Sequence, residues 1–206
     1  MQYIEFRQKI NGFTVFGLPD IRKIQPDFDR RRLNEWQDKG YIQKLRRGYY
    51  MFADTALSEQ TLFLIANKLY SPSYVSFEMA LSRYSLIPEG VYTVTSASSK
   101  KKVDFTTPVS HFSYRQLKPK LMFGYHLEKF GNQNYKMADI EKAVLDYLYL
   151  NPTSTQQVDL SEWRFNKEEF LARVNMDKFK MYAKAFGSQS LEQRAKQFLK
   201  FINHPN

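Results

Sequence analysis

The sequence predicts an α+β protein. Three helical segments and a basic hairpin are expected over residues 1–54. An α+β unit with a small, mainly antiparallel sheet and C-terminal helices is expected over residues 55–206. Three observations carry this. Apolar residues recur at helical spacing near the N-terminus, between residues 58 and 84, and again after residue 139. Residues 91–95 are instead β-branched and aromatic, and residues 103–136 alternate apolar and polar groups between Pro, Gly and Asn breaks. An apolar share of 43% with 16% aromatics over 206 residues is enough for a packed core and argues against a disordered chain.

Tyr3, Phe6 and Ile10 fall on one face of a first helix. Leu18 to Ile24 predicts a second, with Pro19 in its first turn, where no intrahelical N–H is needed. A third helix starts after Asp29, whose carboxylate is suited to accept orphan backbone N–H groups. Phe28 and Leu33 take the positions of a hydrophobic staple around that start. Leu33, Trp36 and Gly40 lie on one side, and Gly40 suits the left-handed residue that ends a helix. Arg31, Asn34, Glu35 and Asp38 lie on the other, with Arg30 flanking. Tyr41 to Phe52 then reads as a hairpin turning at Arg46-Arg47-Gly48.

A packed face opposite one carrying Arg and Asn is what a helix needs to read a DNA major groove. Arg pairs with guanine edges and Asn with adenine edges. A basic hairpin directly after it suits contact with phosphate or the minor groove. Residues 1–54 are therefore expected to form a winged helix-turn-helix that binds double-stranded DNA through Arg30, Arg31, Asn34, Lys44, Arg46 and Arg47. Helix faces bearing Arg are also common as merely solvated surface. It is the order of helix, capped helix and basic hairpin that favours DNA. Inverted-repeat sites would need two protomers, with dimerisation in solution or only on DNA.

No Gly/Ser-rich linker follows Asp54, so the next unit is expected to pack close by. Ser58 is a cap for a helix with Leu62, Ile65, Ala66 and Leu69 as its stripe. Pro72 breaks the chain, and a further helix aligns Phe77, Ala80, Leu81 and Tyr84 before Pro88. Val91 to Thr95 is β-branched and aromatic, hence a strand, and residues 103–136 hold several more. Asp139 is expected to cap a helix that aligns Ile140, Ala143, Val144 and Tyr147 and ends before Pro152. Residues 151–206 read as a helical tail of unknown role. Asn166 to Glu169 has capping-box spacing there, Phe165 and Phe170 are placed to staple it, and Ser190 to Gln193 repeats the capping pattern.

The net charge of +10, with a pI near 9.6, favours a polyanionic partner. It is unevenly spread. Residues 1–55 carry eleven basic and seven acidic side chains, and residues 100–136 carry eight against two. The second region is either another nucleic-acid surface or a solvated loop. The lack of cysteine excludes disulfides, thiol catalysis and Cys-ligated zinc. The N-terminus lacks the pattern of a signal peptide, and no apolar run approaches the ~20 residues of a bilayer span. A cytoplasmic protein without a membrane partner is expected.

Three segments resemble the AbiEi family of antitoxins, from type IV toxin–antitoxin systems linked to abortive phage infection. The first runs through Leu33-Asn34-Glu35-Trp36 and Gly40 to Tyr50. The second is Tyr70 to Leu81, closing with Leu86-Ile87-Pro88-Glu89. The third is Ala138 to Asp146, with Asp139 and Ile140 where the family usually has Thr and Pro. The resemblance covers roughly residues 1–150. It implies a winged helix that binds repeats upstream of its own operon and represses it. It also implies a second domain that neutralises a neighbouring nucleotidyltransferase-like toxin, directly or only functionally.

Enzyme readings fare worse. Gly12 and Gly17 have phosphate-loop spacing, but Leu18-Pro19 stands where Lys-Ser/Thr is needed. Asp27 and Asp29 form an acidic pair without a preceding Gly-Ser, and Asp29 is better explained as a cap. His111, His126 and His204 are scattered. No enzyme activity, metal or cofactor is expected. Glu78, Glu141 and Lys142 read as caps or braces on a domain surface, with a buried polar contact or partner site as the alternative. Two rival functions stand beside the repressor: an antitoxin acting mainly by protein contact, and a nucleic-acid-processing enzyme hinted at by the basic region Lys100 to Lys136.

Overall fold

In the computed structural model, which describes residues 1–151 and 164–203, α1 (Tyr3–Ile10), α2 (Leu18–Ile24) and α3 (Arg31–Asp38) precede a hairpin of β1 (Ile42–Arg46) and β2 (Tyr49–Phe52). Their shared core is aromatic. The Phe6 ring lies 4.5 Å from Trp36, 5.4 Å from Phe16 and 5.9 Å from Phe52, centroid to centroid. Phe28 and Leu33 are buried in the same cluster, although with Arg30 as the N-cap each stands one position before its expected place in a staple. Asp29 accepts the Arg31 N–H at 2.9 Å, from one residue before the N-cap Arg30. Gly40 ends α3 with φ +67°, a conformation that favours a residue without Cβ. Phe16, between α1 and α2, exchanges two 2.9 Å backbone hydrogen bonds with Tyr50 and so ties the helices to the hairpin.

The hairpin has two packed faces. Arg46 pairs with Tyr49 across the turn at Arg47-Gly48, and a bulge sets Leu45 out of the regular register. Ile42, Tyr50 and Phe52 enter the helical core, whereas Leu45 and Met51 enter a second core with Val15. The following unit thus packs directly on the first.

That unit is built on a six-stranded sheet in the order β5-β6-β4-β3-β8-β7. Its strands are β3 (Ser73–Val75), β4 (Thr93–Ser98), β5 (Val103–Thr106), β6 (His111–Gln116), β7 (Tyr125–Phe130) and β8 (Gln133–Ala138). The sheet is larger than the small one expected, and it is mixed: three of its five strand pairings are antiparallel and two are parallel. After β4 the chain passes to the edge strand β5 and returns as β6 between them, so β4 and β6 run parallel over six residue pairs. β3 also runs parallel to β8, at the single pair Val75–Met137.

Side chains alternate across the sheet. Val75, Val94, Tyr135 and Met137 face α4 (Glu59–Leu69) and the hairpin. Tyr74, Ala97 and Ala138 face the core shared with α5 (Phe77–Arg83), α6 (Ile140–Leu150), α7 (Lys167–Arg173), α8 (Met176–Ala185) and α9 (Gln189–Asn203). Ser58 caps α4 and Asn166 caps α7, with Phe165 and Phe170 in edge-to-face contact. The cap of α9 is Ser188 instead of Ser190, its hydroxyl 3.4 Å from the Leu191 nitrogen. Residues 152–163 of the expected helical tail, and His204, lie outside the described residues.

Candidate nucleic-acid interface

Helix α3 buries Leu33 and Trp36 and leaves Arg31, Asn34, Glu35 and Asp38 exposed on the opposite side. Arg30 and Arg31 stand at its N-terminal end, and Asp38 at its C-terminal end. Both placements oppose the helix dipole, which disfavours cations at the start and anions at the end by about 0.3–1 kcal/mol each. The side chains of Arg30, Arg31 and Asn34 make no ion pair or hydrogen bond to another described residue. A phosphate partner would reverse this local penalty, because helix N-terminal N–H groups also favour anions.

Lys44 is exposed on β1, and Arg47 is exposed in the turn. Arg46 is placed differently from the expectation. Its Nη1 donates to the Leu69 carbonyl at 3.1 Å, and its guanidinium lies 4.0 Å from the Phe105 ring centroid. It braces the hairpin against the end of α4 and the edge strand β5, so it is not a free cation at the hairpin tip.

The second unit holds polar groups that the sequence left as surface braces. Lys142 is fully buried in α6. Its Nζ donates to Asp146 and, at 2.9 Å, to the Tyr74 hydroxyl. Asp146 also accepts from Tyr74 and Ser76, each at 2.8 Å. Burial draws the Lys142 ammonium below the usual lysine range and pushes the Asp146 carboxyl above the usual carboxylate range, while their mutual attraction opposes both. Glu141 is buried too and accepts the Asn175 N–H at 2.8 Å. The surface reading of Lys142 and Glu141 is therefore corrected: the apolar character of α6 buries nearly its whole circumference. Glu78 is half-buried and pairs with Arg115 at 2.8 Å.

Asp139 sits at the N-cap of α6 without a side-chain capping bond. Its carboxylate instead receives Lys178 at 2.9 Å, Tyr182 at 2.9 Å and the His126 ring at 2.9 Å. The neighbouring Glu128 takes the other ring nitrogen of His126 at 3.1 Å. Asn67 was not singled out from the sequence. Its amide holds both the Lys136 N–H, at 2.7 Å, and the Lys136 carbonyl, at 3.4 Å, where β3 and β8 no longer pair.

Among the described residues no group of three or more His, Asp or Glu side chains is arranged to hold a metal ion, and no helix is long and apolar enough to cross a membrane. No protein-family model matches the chain, and no curated protein matches it.

Proposed function

We propose that this chain is a DNA-binding repressor of its own operon and the antitoxin of a type IV toxin–antitoxin pair. In this reading residues 1–54 act as a winged helix-turn-helix. The observation that carries it is the unpaired cluster Arg30, Arg31 and Asn34 at the start of α3, held against the helix dipole opposite a packed Leu33–Trp36 face. In helix-turn-helix proteins the N-terminal residues of the recognition helix reach the base edges. The one-residue bridge from Phe16 to Tyr50 supports the same reading, because it fixes α2 and the hairpin around α3. Lys44 and Arg47 supply backbone contacts, and Arg46 supplies none. Repression works by occupancy, in the cytoplasm and without catalysis. The antitoxin role rests on the family resemblance of residues 1–150.

Fluorescence anisotropy against DNA from upstream of the gene tests the first half. Specific binding should survive scrambled competitor duplex. Arg31→Ala should lose roughly 1–3 kcal/mol of preference for the specific site. Arg47→Ala should weaken all duplexes and lower the salt slope by about one. Equal competition by scrambled duplex overturns the repressor reading. Co-expression with the neighbouring nucleotidyltransferase-like gene tests the second half: growth should be restored, including by Arg31→Ala, and failure to restore it overturns the antitoxin reading.

A further inference from the structure

A second candidate site lies away from α3, at one end of the six-stranded sheet. The parallel ladder sets Ser98 of β4 beside Gln116 of β6, and the Leu117 N–H bonds the Ser98 carbonyl at 2.8 Å. The segments that follow, Ser99 to Lys102 and Leu117 to Lys120, therefore leave the sheet side by side. Ser73 of β3 pairs with Ser98 at the same end. Here β3 and β8 have separated, since their only pair is Val75–Met137. Two cavities of about 160 and 230 Å³ open at this separation, the smaller on the Tyr74–Tyr125 side of the sheet and the larger on the α4 side beside Asn67 and Lys68, and Ser73 and Lys136 line both. Each exceeds several times a water molecule's share of liquid volume, about 30 Å³, and has room for a phosphate group.

The larger cavity exposes mainly polar atoms and the smaller mainly apolar ones, and Lys136 is a cation common to both linings. Ser73 is only 3% exposed, yet its hydroxyl has no hydrogen-bond partner among the described residues. A buried hydroxyl left unpaired is costly unless a ligand completes it. Lys100, Lys118 and Lys120 flank the lining residues Ser99 and Pro119 and are exposed. Neither they nor Lys136 form an ion pair with any described residue. Two of the four are pre-positioned on aromatic rings: Lys136 Nζ lies 5.3 Å from the Tyr125 centroid, and Lys100 Nζ lies 5.3 Å from Tyr70. Tyr125 is already stacked on Tyr74 at 5.0 Å and covered by Lys136. That leaves charge and hydroxyl donation, more than base stacking, as the means of recognition.

We propose that this end of the sheet is a phosphate-binding cleft, with Ser73 and Lys136 in its lining and Lys100, Lys118 and Lys120 around it, which takes the phosphate of a nucleotide or of a single-stranded nucleic-acid backbone. It is separate from α3 and does not rest on the repressor reading.

Three probes test it on the full chain: calorimetry with inorganic phosphate, calorimetry with adenosine monophosphate, and anisotropy with a labelled single-stranded octanucleotide. Binding of the small phosphates identifies a nucleotide site. Binding of the octanucleotide alone identifies a strand-backbone site. In either case the exposed double variant Lys118→Glu/Lys120→Glu should weaken binding at least tenfold at an unchanged melting temperature. Ser73→Ala should weaken it severalfold without lowering the melting temperature of the free chain, since it removes an unpaired buried hydroxyl. For the octanucleotide, losing two lysine contacts should lower the salt slope by about 1.4. The proposal is overturned if none of the probes binds, if both variants bind as the parent does, or if polyglutamate displaces the probe as well as a nucleotide does.

Discussion

Replacing Lys142 by Met keeps most of the stem volume but removes the cation that faces Asp146. Asp146 is fully buried, so its carboxylate is left with only the hydroxyls of Tyr74 and Ser76, each at 2.8 Å. Breaking one side of a buried pair typically costs 3–5 kcal/mol. The two remaining hydrogen bonds to a charged group soften this, so about 3 kcal/mol is expected. Asp146→Leu strands the ammonium among the rings of Phe186, Phe123 and Tyr74, at 4.5, 5.0 and 5.5 Å. A similar loss follows, eased because burial already favours the neutral amine. At about 2–4 °C per kcal/mol for a chain of this size, each single variant should melt roughly 6–12 °C lower. The double variant Lys142→Met/Asp146→Leu removes both charges and should lie within about 1 kcal/mol of the parent, since well-packed apolar replacements of buried ion pairs are often neutral. Urea titrations of all four proteins give the coupling energy. Single variants costing under about 1 kcal/mol, or a double variant costing the sum of the two, would refute the reasoning.

Three further outcomes are expected. Arg46→Ala should cost about 1–2 kcal/mol of stability through the lost Phe105 and Leu69 contacts while leaving the salt slope of duplex binding unchanged; a slope lowered by one would return Arg46 to the DNA-facing set. Burial pushes the Asp139 and Glu128 carboxyls up, yet hydrogen bonds from Lys178, His126 and Tyr182 to the first, and from Tyr135 and His126 to the second, outweigh it and hold both below the usual carboxylate range. Their contribution is therefore fully present near neutral pH and lost as pH falls through and below that range. Asp139→Asn should lower stability at pH 7 and flatten the acid side of the stability profile, and an unchanged acid slope in urea titrations would contradict this. Asn67→Leu should cost about 2–3 kcal/mol by orphaning two backbone groups and speed hydrogen exchange at the Lys136 amide; unaltered protection there would show that the amide is not the bridge.

The local features were legible because local chemistry decides them. Pro19 and Asp29 mark helix starts, Gly40 marks a stop, and the residues around Leu18–Ile24 and Leu33–Trp36 repeat at helical period. Phe165, Asn166 and Phe170 announce α7 in the same way. What escaped was non-local. β3 is three residues long and follows Pro72, too short for an alternating pattern to show. The parallel pairing of β4 with β6 depends on where β5 goes, which no residue within β4 records. Arg46 reads as one more cation of a basic hairpin until Phe105, 59 positions onward, arrives against it. Lys142 and Asp146 did leave a trace: a lysine and an aspartate four apart in an otherwise apolar helix are spaced to meet on one face.

Both faces of the hairpin of β1 and β2 carry packed side chains. One face closes the helical core, and the other, through Leu45 and Met51, closes the core of the sheet. The N-terminal unit is consequently not a cassette that recombination can trade between proteins, because a transplanted copy would carry a greasy underside shaped for this sheet and no other. If α3 reads DNA as proposed, change in its specificity comes by single substitutions at exposed positions such as Arg31 and Asn34, which touch neither core. The architecture thereby confines innovation to a few residues and shields the rest of the fold from it.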